Sequence, residues 1–176
     1  MRKCMILLCL MCNLWCMAQE HMKFMEISMG QNIEAFSDAL KRKGFNLLPK
    51  SKNAPKGQRF FSGKFAGEEV ELKIDYDIVA KDVIGVIVDF GWGMSDSKLE
   101  QLYGSVLKSL MVKYSDFEMI TEDSPTTVTF KSPKGAVFLY FKQDSMEKLK
   151  MVLNYCDLIN MKKERDRKLS AVLNDV

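Results

Sequence analysis

The hydrophobic period of this chain switches between that of a helix and that of a strand four times. The order of those switches constrains the fold more than any single motif. Residues 32 to 43, NIEAFSDALKRK, place Ile33, Phe36 and Leu40 at helical spacing, with Asn32 as an N-cap and Gly44 as a stop. Residues 97 to 114 carry a longer stripe of Leu99, Leu102, Tyr103, Val106, Leu107, Leu110 and Tyr114, opened by Ser97 and Glu100 at capping-box spacing. Gly104 in the middle of that helix costs about 1 kcal/mol and suggests that something packs closely against it.

Between and after the helices the period is two. EEVELKIDYD alternates Val70, Leu72, Ile74 and Tyr76 with Glu69, Glu71, Lys73 and Asp75, the pattern of a strand with one buried face. QRFFSGKFAG and DVIGVIVDFG flank it as strands, and FNLLPK is a short edge strand closed by Pro49. DFEMITED, TTVTFK, GAVFLYF and KLKMVLNYCDL are four more strands, with SPKG at 132 to 135 as a tight turn. The chain is therefore expected to form one α+β domain over residues 19–176. It is built of two αββββ units, about 30–92 and 93–158, whose antiparallel strands carry helices on one face. A charged helix over 159–176 follows, packed by an edge of Ile159, Leu169, Val172 and Leu173. The other sheet face is left open, and the similar order of the units suggests duplication.

The N-terminus reads as a leader. Arg2 and Lys3 precede a short apolar run to Met17, and small side chains at Cys16 and Ala18 place cleavage between Ala18 and Gln19, so residues 1–18 are expected to be a secretory signal peptide. The run is short for a bilayer span, which takes about 20 apolar residues, and no transmembrane segment is expected after cleavage. The expected location is the periplasm or the exterior. Lipid anchoring at Cys16 is the alternative, on the strength of NLWC, although Trp15 stands where a lipobox wants a very small residue. Cys156 is the one cysteine outside the leader, so no internal disulfide forms and the core alone holds the fold.

HMKFMEISMGQNIEAFSDALKRKGF followed by GKFAG resembles small secreted proteins of unknown function from Bacteroidetes. These often open after the leader with a phrase like FKGIPIDG, then a hydrophobic helix ending in Lys-Gly-aromatic and a G-x-F-A-G strand. Here Glu26 and Ser28 replace the family's Gly and Pro; the resemblance covers about residues 21 to 67 and implies no activity. In architecture, tandem αβ4 units resemble the beta-lactamase inhibitor protein fold, and half of one resembles small outer-membrane assembly lipoproteins. Both precedents bind proteins and catalyse nothing.

The chemistry open to the chain is narrow. Its one histidine, His21, lies two residues past the expected cleavage site, in a tail where a catalytic base is poorly placed, which argues against Ser-His-Asp and Cys-His catalysis. Cys156 reads as a packing residue. Asp75 and Asp77, pointing the same way from one strand with Asp82 just beyond, could form an acid pair or a calcium site, but a solvated strand face is explanation enough for them, and no metal or cofactor is expected. The DFG at Asp89 to Gly91 lacks every other element of a kinase.

Charge gives a weaker hint. Eight basic residues and no acidic one lie between Lys41 and Lys64, with Lys50, Lys52 and Lys56 on a mobile loop, PKSKNAPKG. That loop could dock an anionic surface or simply keep the chain soluble. Loss of Arg2 and Lys3 leaves 26 − 2 = 24 basic against 23 acidic residues, a formal charge of +1, and no nucleic-acid partner is expected.

The reading that results is an exported, non-catalytic binding module for an envelope protein or glycan. Its candidate binding residues are Trp92, Phe60, Phe138 and Tyr140 on the open face, with Lys50, Lys52 and Lys56 beside them. Phe138 and Tyr140 are placed there because Val137, Leu139 and Phe141 take the helix side. Burial of that face in a homodimer is an equal reading of the same aromatics. The alternatives are a small carboxylate-dependent hydrolase acting on envelope polymers, or a structural envelope lipoprotein anchored at Cys16.

Overall fold

The structure, a computed structural model, describes residues 20–121 and 127–174. The expected signal peptide, its cleavage site and Cys16 lie outside the described residues. A small hairpin comes first, β1 (Lys23–Phe24) and β2 (Ile27–Ser28), then helix α1 (Ile33–Arg42) and strands β3 (Asn46–Leu47), β4 (Gln58–Phe65), β5 (Glu68–Tyr76) and β6 (Val83–Asp89). Helix α2 (Asp96–Lys113), strands β7 (Glu118–Thr121), β8 (Thr127–Lys131), β9 (Gly135–Gln143) and β10 (Leu149–Asp157), and helix α3 (Leu158–Asn174) complete the chain.

Each helix begins where a side chain can satisfy its free N–H groups. Asn32 Oδ1 accepts from Glu34 N at 2.9 Å to cap α1. At α2 the cap is Ser95, whose Oγ accepts from Lys98 N at 3.4 Å, so the expected Ser97 cap lies inside the first turn. Gly104 is also corrected: a Cβ there would meet open space, so no close partner explains the glycine.

Eight strands form one antiparallel sheet in the order β3-β4-β5-β6-β10-β9-β8-β7. The strands before α2 and those after it meet where β6 pairs with β10, Val86 opposite Tyr155 and Val88 opposite Leu153. Both edges are short strands, which limits the unpaired backbone available for aggregation. Register carries the core across the whole sheet. Phe61, Leu72, Val88, Leu153, Leu139 and Val128 form one continuous row on the helix side. Ile33, Phe36 and Leu40 of α1 and Leu99, Leu102, Val106 and Leu110 of α2 are buried against it. At roughly 1.5–3 kcal/mol per large apolar side chain, such burial holds the layers together with no disulfide among the described residues.

The hairpin fills the remaining space on this side. Phe24 is fully buried, stacked on Phe65 at 5.7 Å and edge-on to Tyr155 at 5.2 Å. Its turn puts Met25 and Glu26 at φ 49° and 65°, the left-handed region that costs roughly 1–2 kcal/mol for a residue with a Cβ.

His21 is likewise corrected from a free tail residue to an anchored one. Its Nδ1 lies 3.1 and 3.2 Å from the two carboxylate oxygens of Asp157, which also accept Met22 N at 3.0 Å and Asn160 N at 2.8 Å. Asp157 is fully buried; it ends β10, caps the start of α3 and ties down the residues that enter the hairpin.

Helix α3 crosses the end of the sheet on polar contacts. Asn160 Nδ2 donates to Met29 O and Val83 O, and Arg167 Nη1 donates to Asp77 Oδ1 at 2.7 Å. Of its expected packing edge only Ile159 is buried, while Leu169, Val172 and Leu173 are exposed. No helix among the described residues is long and apolar enough to cross a membrane.

Candidate functional site: the uncovered face of the sheet

Side chains opposite the helices form three rows on the open face, again set by register. The first runs Ser62, Glu71, Asp89, Val152, Tyr140, Thr127, and the second Phe60, Lys73, Ile87, Asn154, Phe138, Thr129, Ile120. The third runs Gln58, Asp75, Gly85, Cys156, Ala136, Lys131. The middle row is apolar at Phe60, Ile87, Phe138 and Ile120, and the rows beside it carry most of the charge. Gly85, Cys156 and Ala136 make the third row shallow at its centre, so the aromatic row stands proud of it.

The alternation expected in β9 is present. Val137 and Leu139 are buried and Phe141 stacks on Tyr103 of α2 at 4.9 Å, while Phe138 and Tyr140 occupy the open face, half-buried. Phe60 and Phe138 lie four strands apart in one row, roughly 19 Å at the usual strand spacing. Burial raises the Tyr140 hydroxyl above its ordinary pKa, helped by the nearby charge of Asp89. Burial also raises the Cys156 thiol, with Asp75 adding to the effect, which disfavours the thiolate form.

Trp92 stands in the Gly91-Trp92-Gly93 turn after β6, 45% exposed. Lys150 Nζ lies 4.5 Å over its ring and is ion-paired to Asp89. One side of the face repeats the arrangement: Lys50 Nζ lies 4.4 Å over Phe60 and 2.6 Å from Glu71. Lys73 and Asp75 pair at 3.0 Å between them. Each of these cations thus has a carboxylate neighbour on the same face, leaving an amphipathic surface without a dominant sign.

The basic stretch is less free than its composition suggests. Pro49–Asn53 is a 3-10 turn whose Ser51 hydroxyl bonds both N and O of Phe60 at 2.9 Å. Arg59 pairs with Glu34 and Lys64 with Glu69. Lys52 is exposed and Lys56 lines a groove of about 380 Å³ at the foot of the face, with Gln58, Asp75, Tyr76 and Glu164. The structure gathers Lys50 and Phe60 on one side and Phe138 and Tyr140 on the other, with Trp92 beside Lys150 at the end of β6 between them.

The carboxylates do not converge. Asp75 and Asp89 sit two rows apart on the open face, each with its own lysine. Asp77 does not share their direction: β5 ends at Tyr76 after a register shift, and Asp77 is buried, accepting from Val79 N, Ala80 N and Arg167. Burial alone would raise its pKa, but those backbone donors and the guanidinium hold it below the ordinary value. Among the described residues no three His, Cys, Asp or Glu side chains are grouped to hold a metal ion.

Sequence reasoning missed Ile87, Asn154 and Val152 as face residues. VIGVIVD and MVLNYCD are nearly continuous apolar runs, so alternation leaves the two sides of β6 and β10 undistinguished. Comparison with protein-family models, with curated proteins and with solved structures finds no match for the chain.

Proposed function

We propose that the chain is an exported, non-catalytic binding module that holds a protein or glycan of the cell envelope on the open face of its sheet. The observation that carries this reading is the middle row, in which Phe60, Ile87 and Phe138 alternate with Lys73 and Asn154 on a face that no described element covers, with the pairs Lys50–Glu71, Lys73–Asp75 and Lys150–Asp89 around the apolar side chains. A row of this kind among neutralised polar groups suits recognition, because aromatic anchors supply contact area while the polar groups supply hydrogen bonds. Tyr140, one row above Phe138, and Trp92, at the end of β6, add further aromatic surface.

Export rests on the leader pattern of residues 1–18 and on the resemblance of residues 21–67 to secreted proteins. Separate engagement of Asp75, Asp77 and Asp89 removes the support that a carboxylate-dependent hydrolase drew from the sequence. The test is retention of an envelope partner by variants that alter the row while keeping the fold, as set out at the end of the Discussion.

A further inference from the structure

Helix α3 is amphipathic the wrong way round for a helix that packs on a core. Its inward contacts are polar, through Asn160 and the Arg167–Asp77 pair, whereas its apolar stripe faces outward. Met161 is 41% exposed, Leu169 56%, Val172 64% and Leu173 75%. At 3.6 residues per turn these fall on one arc with Leu158, and Lys162 and Arg165 fall on the same arc with Lys168 at its edge. Acidic residues flank it: Glu164 borders one edge, paired with Lys168 at 2.7 Å, and Asp166 borders the other beside Leu173, 3.7 Å from Arg165, so three cations against two carboxylates leave the face net positive.

We propose that this outward face of α3 is a docking surface for an anionic lipid bilayer, with the apolar side chains entering the headgroup boundary and the lysine and arginine heads meeting lipid phosphates. The charge pattern selects this occupant. A second copy of the helix would bring Lys162 and Arg165 against like charges, whereas an anionic bilayer offers apolar depth and negative charge together. The anchor through Arg167 and Asp77 holds the helix by its polar side and leaves the stripe exposed among the described residues. The site adjoins the foot of the open sheet face, where Lys168 and Glu164 line a groove with Gln58 and Asp75, and does not depend on that face's proposed role.

The experiment uses the full chain carrying Leu169→Trp, with the emission of the parent chain subtracted so that the new side chain alone is read. Vesicles of 7:3 phosphatidylcholine to phosphatidylglycerol are compared with pure phosphatidylcholine, each with brominated acyl chains as quencher. Quenching of the position-169 signal by the anionic vesicles, weak or absent with the neutral ones, is the expected result. Reversal of Lys162, Arg165 and Lys168 to Glu should weaken that binding by roughly 10²-fold, at about fivefold per basic residue near an anionic surface. Arg167 is left intact so that the helix stays anchored, which circular dichroism verifies. No quenching by anionic vesicles would overturn the proposal and turn the face toward an acidic protein. Equal quenching by neutral vesicles, no effect of the charge reversals, or a blue shift without lipid in a sample of dimeric mass would overturn it as well.

Discussion

Nδ1 of His21 lies 3.1 Å from Oδ2 of Asp157, a carboxylate that solvent does not reach, across 136 positions of sequence. The contact joins the residues entering the first hairpin to the start of the last helix. Asp157→Ala removes a helix cap worth about 1 kcal/mol and charge-assisted hydrogen bonds worth about 1.5–3 kcal/mol, so a loss of roughly 2–4 kcal/mol is expected in urea unfolding. His21→Ala should cost less, since it removes one of the three donors. A loss under about 1 kcal/mol for Asp157→Ala would mean that this junction does not hold the segment.

Gly104 sits inside α2 with free space where its Cβ would be. Gly104→Ala should therefore stabilise the protein by about 0.8–1 kcal/mol, seen as a higher denaturation midpoint at unchanged slope. A destabilised variant would show that the glycine has a partner after all.

Asp77 and Arg167 tie the β5–β6 turn to α3. Because the Asp77 carboxyl is held below its unfolded pKa of about 3.9, the unfolded chain takes up the proton more readily. Its stabilising contribution is complete above that value and fades as pH falls through the lower folded one. Arg167→Met should flatten the fall in stability below about pH 4, measured by urea unfolding between pH 5 and 2. An unchanged acid limb would remove Arg167 from this role.

Tyr114 is buried and its hydroxyl closes no hydrogen bond of acceptable geometry, although the Tyr155 hydroxyl is close enough to couple to it electrostatically. Burial pushes the Tyr114 hydroxyl up to about 12 and Tyr155 well above its ordinary value. Both contribute stability that is complete below the unfolded value of about 10 and is lost as pH rises through the folded ones. Tyr114→Phe removes an orphaned polar group and should stabilise the fold at pH 7 by about 1 kcal/mol while weakening its alkaline sensitivity. Destabilisation at neutral pH would show that the two tyrosines share a real hydrogen bond.

The architecture was legible in the sequence wherever one side of an element is buried and the other wet. EEVELKIDYD and GAVFLYF show their faces by alternation, and that rule puts Phe138 and Tyr140 on the open side. Features that depend on distant partners were not legible. His21 looks like a tail until Asp157 arrives from the far end of the chain, and Asp77 leaves the strand at a register shift that no periodicity marks. The stripe of α3 misled for a different reason. Amphipathic reasoning turns apolar side chains inward, and here Asn160 and Arg167 hold the inner side instead.

The central claim, that the open face binds, is tested most directly by partner retention with face-specific variants. Tagged protein carrying Ile87→Glu with Phe138→Ala would be compared with the wild type and with Lys108→Glu, a control on the exposed side of α2. Each would be incubated with native envelope extract and with isolated envelope polymer, and folding would be verified by the same urea midpoint. Retention at least tenfold weaker for the face variant, with the control at the wild-type level and all three folded, is the expected result. Equal retention by face variant and control, or no retention by the folded wild type on either material, would contradict the claim.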